Sequence, residues 1–227
     1  MSKRVETRYA VLPALADRWS PRSFDPRAPE PEKLQSIFEA ARLAPSAHNT
    51  QPVRFLVVRK SDQETHARLF ACLSDGNRVW AHSAPLLVLA CVMRQRFSQE
   101  RAAFVPYPHA MHDLGLAVMS TILQAQALGI HCHPLAGFDP EQAQSAFAIP
   151  ASFEPAVVIA IGYLGDPDTL PDGLRARELG PRTRRPLEEL VFERAWGQAS
   201  ALFSANDRPA ATGRVPARTG RIVDGEQ

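Results

Sequence analysis

Runs of apolar residues along the chain alternate with segments whose apolar residues recur at helical spacing. Strands are expected where β-branched or apolar residues run without interruption, over residues 55–59, 86–92 and 155–161. The middle run extends from Ala84 to Met93 and is typical of a strand buried on both faces. It is about half as long as a membrane-spanning helix, so it is not expected to cross a membrane.

The amphipathic segments predict helices. The clearest one begins at Pro31 and ends before Pro45. Apolar residues recur there on one helix face, at Leu34, Ile37, Phe38 and Ala41. Other helices are expected over residues 12–19, 61–73 and 114–128 and after Asp139, and residues 187–196 fit either a helix or a strand. Ser61 and Glu64 have the spacing of a capping box at the start of one of these helices.

The segment from Leu114 to Phe138 contains no Asp, Glu, Lys or Arg. One interpretation is a membrane span, which needs about 20 apolar residues in a row. The polar residues Ser120, Thr121 and Gln124 interrupt the segment, and Gly129 ends its helical part. A helix buried in a protein core or in a subunit interface accounts for these residues better.

Composition indicates a soluble globular protein of about one domain. The 227 residues are 45% hydrophobic and 22% charged, which excludes a wholly disordered chain. The net charge of +2 provides no field that would attract nucleic acid or a membrane, so neither is expected as a partner. Few large apolar residues follow Ser204. We therefore expect a domain over residues 1–203 and a polar tail over 204–227, disordered alone or packed on a partner.

The cysteines and the N-terminal residues bear on the cellular compartment. Cys72, Cys91 and Cys132 are too few and too scattered for a disulfide framework, and such a set suggests a reducing compartment. The first residues lack the apolar core of a signal peptide. A cytoplasmic location is expected.

Common nucleotide, metal and hydrolase motifs do not occur in the sequence. It has no Gly-x-Gly-x-x-Gly fingerprint, no Walker A loop, no His-Glu-x-x-His pair and no Gly-x-Ser-x-Gly elbow. His131, Cys132 and His133 are a candidate metal cluster, because the two histidines would share a face in a strand. Further ligands at recognisable spacing are missing, so a packed or solvent-facing pair is favoured and no metal is predicted. Asp113 and His112 precede a predicted helix, so a helix cap is favoured over a catalytic dyad.

Two arginine clusters and one polar loop are the remaining candidates for chemistry. Arg18, Ser20 and Arg22 alternate, so in an extended segment they can face one ligand. Two guanidinium groups and a hydroxyl together satisfy the oxygens of a phosphate. The second cluster contains Arg182, Thr183, Arg184 and Arg185. A solvated basic surface is the alternative for either cluster. The loop from Ala44 to Pro52 carries hydroxyl and amide groups that can bind the polar edge of a heterocycle.

Taken in this order, the segments resemble the FMN-dependent nitroreductase family. The matching residues near the start are Arg18, Ser20, Arg22 and Phe24, followed by Ala44, Pro45, Ser46, Asn49, Gln51 and Pro52. Those in the middle are Asn77, Trp80, Pro85, Asp113, Gly115, Leu128 and Gly129. Those towards the end are Pro134, Gly137, Phe138, Asp139, Gly162, Tyr163, Arg182, Arg184, Pro186 and Leu187.

The resemblance implies an α+β fold with a central, mostly antiparallel sheet between helices. It also implies an intertwined homodimer with two FMN molecules at its interface. The positions that would hold the phosphate and the ribityl chain are Arg18, Ser20, Arg182 and Arg184. Those near the flavin ring are Asn77 and Arg78, together with the backbone of Pro134, Leu135, Ala136 and Gly137. The partner subunit would contribute Pro45, Ser46 and Ala47, and Asn49 of the same loop is a further cofactor-binding position.

The activity that the resemblance implies is hydride transfer from NAD(P)H, through the flavin N5, to nitroaromatics, quinones or related acceptors by a ping-pong mechanism. Arg22 would be the catalytic residue, because a permanent cation near the flavin N1 and O2 stabilises the negative charge of the reduced ring. Other branches of the superfamily remain as alternatives, namely an ene reductase, a reductive dehalogenase or a flavin-consuming enzyme. A non-catalytic flavin-binding regulatory protein is an alternative of another class.

Three residues depart from the usual pattern of the family. Because of them, the resemblance does not determine the substrate pocket or the subfamily. Ala136 lies where some members have an acidic residue, Val53 lies where an aromatic residue is common, and His48 is not typical of the loop. A substrate lid or ordinary packing would account for four residues before the long helix, which are Phe97, Phe104, Tyr107 and His109.

Overall fold

The computed structural model describes residues 3–5 and 7–203 of the chain. These residues form two compact units. The smaller unit comprises the described residues up to Asp17 and those from Pro181 onward, and the larger unit runs from Arg18 to Gly180. The predicted tail over 204–227 lies outside the described residues, so the expected division of the chain at residue 203 stays a prediction.

The larger unit is built around an antiparallel sheet. Its strands, in chain order, are β1 (Val53–Arg59), β2 (Leu86–Met93), β3 (Gln95–Ser98), β4 (Ala103–Pro106), β5 (His131–Leu135) and β6 (Phe153–Gly162). Four of them pair in the order β1–β2–β6–β5, and each neighbouring pair is antiparallel. β3 and β4 form a separate hairpin.

Helices cover both faces of this sheet. In chain order they are α1 (Pro13–Asp17) in the smaller unit and α2 (Pro31–Arg42), α3 (Gln63–Ala71), α4 (Asp75–Ala81), α5 (Ala110–Ala127), α6 (Pro140–Ala146) and α7 (Asp172–Leu179) in the larger one. Residues of α2 and α5 join the core on one face, and residues of α3, α4 and α6 join the core on the other. The expected α+β fold, with an antiparallel sheet between helices, is confirmed.

Successive residues of β2 belong to different cores. Leu86 and Val88 pack with α2 and α5, whereas Leu87 and Leu89 pack with α3 and α6. This division follows from the pleat of a strand, which sends neighbouring side chains to opposite faces. Because both faces are covered, the strand needs apolar residues at every position, and the prediction of a strand buried on both sides is confirmed.

The helix α5 begins at Ala110, four residues before the predicted start, and its residues from Leu114 onward lie in the uncharged segment. Its polar residues bond within the core. The buried Thr121 hydroxyl donates to the Ala117 carbonyl at 2.9 Å, and Gln124 Nε2 donates to Ser36 Oγ of α2 at 2.9 Å. These contacts support the buried-helix interpretation. None of the helices in the described ranges has the length and apolar composition that crossing a membrane requires.

Three local predictions are wrong in detail. The cap of α3 is Asp62, whose carboxylate accepts the Thr65 N–H at 3.1 Å, so Ser61 is not the capping residue. The helix expected over 12–19 is confined to α1. Residues 187–196 form neither a regular helix nor a strand, but a single 3₁₀ turn over Leu187–Glu189 followed by irregular chain. Four further elements were not predicted from the sequence, namely α4, α7, β5 and the β3–β4 hairpin.

Candidate functional site

The first arginine cluster forms an extended segment, Arg18–Asp25, which we call the arginine strap. Trp19 and Pro21 are buried, while Arg18, Ser20 and Arg22 are partly exposed, so the alternation expected from the sequence is present. The strap lies along β5. The Trp19 ring meets the His131 ring edge-on at 6.4 Å, and His133 Nδ1 donates to the Pro21 carbonyl at 2.7 Å.

The end of the strap is attached to the chain that follows β6. The Asp25 N–H donates to the Tyr163 carbonyl, and the Gly165 N–H donates to the Ser23 carbonyl, each at 3.0 Å. A Cβ atom at position 165 would lie 2.5 Å from the carbonyl carbon of Phe24, so this close approach requires glycine. The attachment therefore determines where Arg22 lies.

Arg22 lies beside a buried carboxylate. Oε1 of Glu178, on α7, accepts the backbone N–H of Arg22 at 2.9 Å and that of Ser23 at 3.3 Å. Oε2 is 3.9 Å from the Arg22 guanidinium and, within the described residues, has no hydrogen-bond partner. Glu178 is only 2% exposed. Glu178 was not predicted from the sequence, because a glutamate in a helix with half of its residues charged gives no signal of burial.

The two histidines of β5 are packed against aromatic rings. The His133 ring stacks on Trp80 at 4.5 Å. Burial lowers the pKa of His133 to about 4, with the Arg22 charge acting in the same direction, and burial lowers the pKa of His131 to about 4. Both are neutral at pH 7. Cys132, between them, is buried, and burial raises the pKa of its thiol to about 12. The described residues contain no group of three or more potential ligands that could hold a metal ion.

The predicted ring-contacting residues meet at the end of β5. The Gly137 carbonyl accepts Asn77 Nδ2 and the Ser74 N–H, both at 2.9 Å, and a Cβ at position 137 would lie 2.7 Å from Asn77 Nδ2. Arg78 Nε donates to the Leu73 carbonyl at 2.6 Å. The structure thus brings Asn77 and Gly137 together, and the Asn77 side chain holds α4 against the chain after β5, whereas the Arg78 side chain binds the chain between α3 and α4. Of the remaining predicted positions, Leu135 is buried, Pro134 is partly buried and Ala136 is exposed.

The loop from Ala44 to Pro52, the serine–asparagine loop, has an unusual backbone. His48, Asn49 and Gln51 have φ values of 54°, 53° and 49°, in the left-handed region that residues other than glycine seldom adopt. Ser46 Oγ accepts the Gln51 N–H at 2.9 Å and closes the loop. Such conformations persist where surrounding contacts enforce them, and they occur preferentially at functional sites.

Asp113 supplies those contacts. It lies in the first turn of α5, not before the helix as expected for a cap, and is 2% exposed. Its Oδ2 accepts the Ala47 N–H at 3.1 Å and the Tyr107 hydroxyl at 2.5 Å, and its Oδ1 accepts His112 Nδ1 at 3.1 Å. Burial raises the pKa of Asp113, but the hydrogen bonds outweigh it and hold the pKa below its usual value. An ionised carboxylate therefore anchors the loop.

A cavity of about 190 Å³ lies beside this loop. Phe38 and Phe55 line it, together with Ser46 and Arg54. Arg54 is engaged with the carbonyls of Gln51 and Val53. The volume is smaller than the roughly 300 Å³ at which pockets for cofactor-sized ligands begin. This cavity therefore does not enclose a whole flavin nucleotide.

The four residues considered for a lid have two different environments. Tyr107 is buried on Asp113, so packing explains it, and its ring meets that of His109 edge-on. Phe97 and Phe104 face each other across the β3–β4 hairpin at 5.5 Å and are 54% and 66% exposed. His109 is exposed as well, so packing accounts for Tyr107 alone and a lid role stays a prediction for the other three residues.

The predicted cofactor residues of the larger unit lie at opposite edges of its sheet. The arginine strap and residues 134–137 adjoin β5, whereas the serine–asparagine loop leads into β1. Three strand spacings of about 4.8 Å separate those two strands, which amounts to about 14 Å. Within one chain, Pro45, Ser46, Ala47 and Asn49 are not brought to the residues of the strap.

The second arginine cluster belongs to the smaller unit. Arg182 Nη1 donates to the carbonyls of Lys3 and Ala16 at 3.0 and 2.8 Å. Arg184 is exposed and donates to the carbonyl of Thr183 at 2.7 Å. The expected convergence of this cluster with the strap stays a prediction.

Comparison with known proteins gives consistent matches. The sequence model of the Nitroreductase family matches residues 15–163. A 15.4 kDa protein of Mycolicibacterium smegmatis is 35% identical over 152 residues, which are 64% of this chain and 98% of that protein. A Stutzerimonas stutzeri protein, provisionally named NADH dehydrogenase/NAD(P)H nitroreductase, is 32% identical over 155 residues, 62% of this chain and 78% of that protein. A crystal structure of an oxidoreductase containing FMN has a TM-score of 0.81 and 36% identity, covering 86% of this chain and 98% of its own.

Proposed function

The chain belongs to the Nitroreductase family, and from this premise we propose that it is an FMN-dependent oxidoreductase. In this proposal it passes hydride from NAD(P)H to nitroaromatics, quinones or related acceptors. The similar crystal structure contains FMN, and the similar protein of Stutzerimonas stutzeri carries NAD(P)H in its provisional name. Both support the proposal.

The observation that carries the proposal is the arrangement of the strap. Trp19 and Pro21 are buried against β5, which leaves Arg18, Ser20 and Arg22 partly exposed on the same extended segment. Two cationic forks and a hydroxyl form a donor set that fits a phosphate and a polyhydroxyl chain. We propose that Arg18 and Ser20 bind these groups of FMN together with Arg182 and Arg184.

In the same proposal, Arg22 lies at the N1 and O2 edge of the flavin ring. The backbone of residues 134–137 lies at N5 and C4=O, and Asn77 and Arg78 lie at the pyrimidine part. Bound FMN would supply an N5 that takes up hydride from NAD(P)H and delivers it to the acceptor. The contribution of Arg22 is a positive charge that does not depend on pH, because a guanidinium stays protonated. His133, buried and neutral, is not required as an acid or a base.

We propose that each site is completed by a second copy of the chain. The serine–asparagine loop lies about 14 Å, or three strand spacings, from the strand that the strap follows. A homodimer that places the loop of one subunit over the strap of the other would bring the cofactor-binding residues of the loop to those of the strap. Asp113 holds the backbone of this loop in the shape that it presents to its partner.

The visible spectrum of the purified protein tests the proposed function. We expect a yellow protein whose flavin absorption is bleached by NADH or NADPH without oxygen and restored by a nitroaromatic or a quinone. An Arg18→Ala variant, purified identically, serves as the control for cofactor retention. A colourless protein that does not bind added FMN would contradict the proposal and favour a flavin-free regulatory function.

A further inference from the structure

The buried Glu178 has no role in the proposed hydride transfer. It lies beside Arg22, whose positive charge is proposed to stabilise the reduced flavin. Its Oε1 accepts two backbone N–H groups of the strap, from Arg22 at 2.9 Å and from Ser23 at 3.3 Å. Its Oε2 faces the Arg22 guanidinium at 3.9 Å and, within the described residues, accepts no hydrogen bond. We propose that Glu178 is a positioning residue that orients Arg22 and lowers the reduction potential of bound FMN. This inference rests on the proposed function.

The geometry separates two roles of the carboxylate. A buried carboxylate needs partners, and the two N–H groups supply them at one oxygen only. At 3.9 Å the guanidinium is too distant for a hydrogen bond, so its interaction with Oε2 is electrostatic. One oxygen therefore holds the backbone of the strap, and the other opposes the charge of Arg22.

Arg22 keeps its donors available for a ligand. Its side chain is 28% exposed and, within the described residues, its guanidinium donates no hydrogen bond. Among those residues, no carboxylate other than Glu178 lies within 4.0 Å of the Arg22 guanidinium. The neighbouring ring of His133 is neutral at pH 7, because its pKa is about 4. The anion and the cation thus form an isolated pair beside the position proposed for the flavin ring.

The sign of the effect follows from charge. A cation at N1 and O2 binds the reduced, negatively charged cofactor more strongly than the oxidised one and raises the reduction potential. A carboxylate behind that cation offsets part of this preference. Glu178 therefore keeps the potential lower than Arg22 alone would set it, so the reduced enzyme is a stronger reductant.

Glu178→Gln is the informative variant, because an amide oxygen can still accept both strap N–H groups while the charge is removed. We expect the preference of the protein for reduced over oxidised FMN to rise about tenfold, which corresponds to a potential about 30 mV higher. Arg22→Ala should lower the potential. Adding Glu178→Gln to Arg22→Ala should still raise the potential, since the charge of the carboxylate opposes negative charge on the cofactor whether or not the cation is present. Glu154→Gln, at an exposed carboxylate 3.6 Å from Arg94, is the matched control and should not shift the potential.

Potentiometric titration of the FMN-loaded proteins, with FMN affinity measured beside it, distinguishes the outcomes. Suppose that Glu178→Gln has the reduction potential of the unchanged protein and that Arg22→Ala has a lower one. This result overturns the role of Glu178 but not that of Arg22. A potential that neither variant shifts overturns the placement of Arg22 at the ring as well. A protein that binds no FMN overturns the proposed function and this inference with it. If Glu178→Gln does not fold, Glu178→Asp replaces it, because the shorter side chain moves the charge away by one methylene. This variant should raise the reduction potential by a smaller amount. An unchanged reduction potential in Glu178→Asp also overturns the inference.

Discussion

The hydroxyl of Tyr107 donates a hydrogen bond of 2.5 Å to Oδ2 of Asp113, and both residues are buried where the serine–asparagine loop meets α5. The same hydroxyl lies 3.1 Å from the carbonyl of Ala47, whose N–H is bound by that carboxylate. That carbonyl accepts the Thr50 hydroxyl at 2.7 Å, so Asp113 and Thr50 together hold both polar groups of Ala47. This arrangement explains how a loop with three left-handed residues keeps one shape.

Tyr107→Phe is expected to destabilise the protein, because it removes a buried hydrogen bond to a charged acceptor. Such bonds contribute about 1.5–3 kcal/mol to the free energy of unfolding. Tyr163→Phe is the matched control: its hydroxyl donates to the exposed Glu30 at 2.5 Å, and solvent should make the loss smaller than that of Tyr107→Phe. Urea unfolding of both variants measures the difference. Equal losses would show that the Tyr107–Asp113 bond is no stronger than a surface contact.

The stability of the protein should fall in mild acid, and His133 should contribute to this fall. Burial lowers its folded-state pKa to about 4 from 6.5, so the unfolded chain binds the proton more readily between these values. The stabilising contribution is therefore complete above pH 6.5 and is lost as the pH falls towards 4. The linkage amounts to at most about 3 kcal/mol. His133→Asn, which can still donate to the Pro21 carbonyl, should flatten this part of the stability–pH curve. Coincident curves would contradict the assignment.

FMN retention should depend on both arginine clusters. Arg18→Ala and Arg184→Ala are each expected to weaken FMN binding about ten- to a hundredfold, since each would remove a charge-assisted bond of about 1.5–3 kcal/mol to the phosphate. Arg185→Ala, beside an exposed Glu189 at 3.4 Å, is the control and should leave the affinity unchanged. FMN fluorescence during dissociation measures all three. If both test variants bind FMN as tightly as the wild type, Arg18 and Arg184 do not bind the phosphate.

Arg22→Ala should slow hydride transfer more than it weakens FMN binding. The variant keeps the backbone N–H groups that Glu178 accepts and should purify yellow. A desolvated contact of about 2 kcal/mol that strengthens in the transition state corresponds to about thirtyfold slower flavin reduction. Arg22→Lys should recover part of this rate, because the charge is kept and the fork is lost. Rapid mixing with NAD(P)H provides the rates. Reduction of Arg22→Ala at the wild-type rate would show that Arg22 is a structural arginine.

Mixed dimers test whether the loop and the strap of one site come from different chains. One subunit would carry Arg18→Ala, and the other would carry Asn49→Gly, which removes the amide but readily adopts the φ of 53° found there. If the site is shared, the mixed dimer contains one intact site and one doubly altered site. We expect half of the wild-type FMN content, whereas each altered homodimer binds weakly. A mixed dimer as weak as the homodimers would place both residues in the site of a single chain.

The sequence predicted the elements whose signals are continuous. β2 and α2 were found because uninterrupted apolar runs and helical spacing leave little ambiguity. β5 was missed because it holds two histidines and a proline, residues that do not indicate a strand. α7 was missed because half of its eight residues are charged, and its one buried residue is Glu178.

The sequence predicted which positions belong to the candidate site, but not the contacts that hold them in place. The alternation of Arg18, Ser20 and Arg22 was readable, because an extended strap has the period of a strand. The role of Asp113 was not, because its partner Ala47 lies 66 residues away in the chain and bonds through its backbone. Backbone partners have no side-chain signature, so only the fold reveals them.

The two-sided burial of β2 restricts how this chain can change in length. Leu87 and Leu89 pack on one core and Leu86 and Val88 on the other, in register with β1 and β6. Inserting or deleting one residue within the strand would exchange the two sets and send every side chain beyond that point to the wrong core. Length changes can therefore be accommodated in the turns and in the β3–β4 hairpin, but not in the strand that joins the two cores.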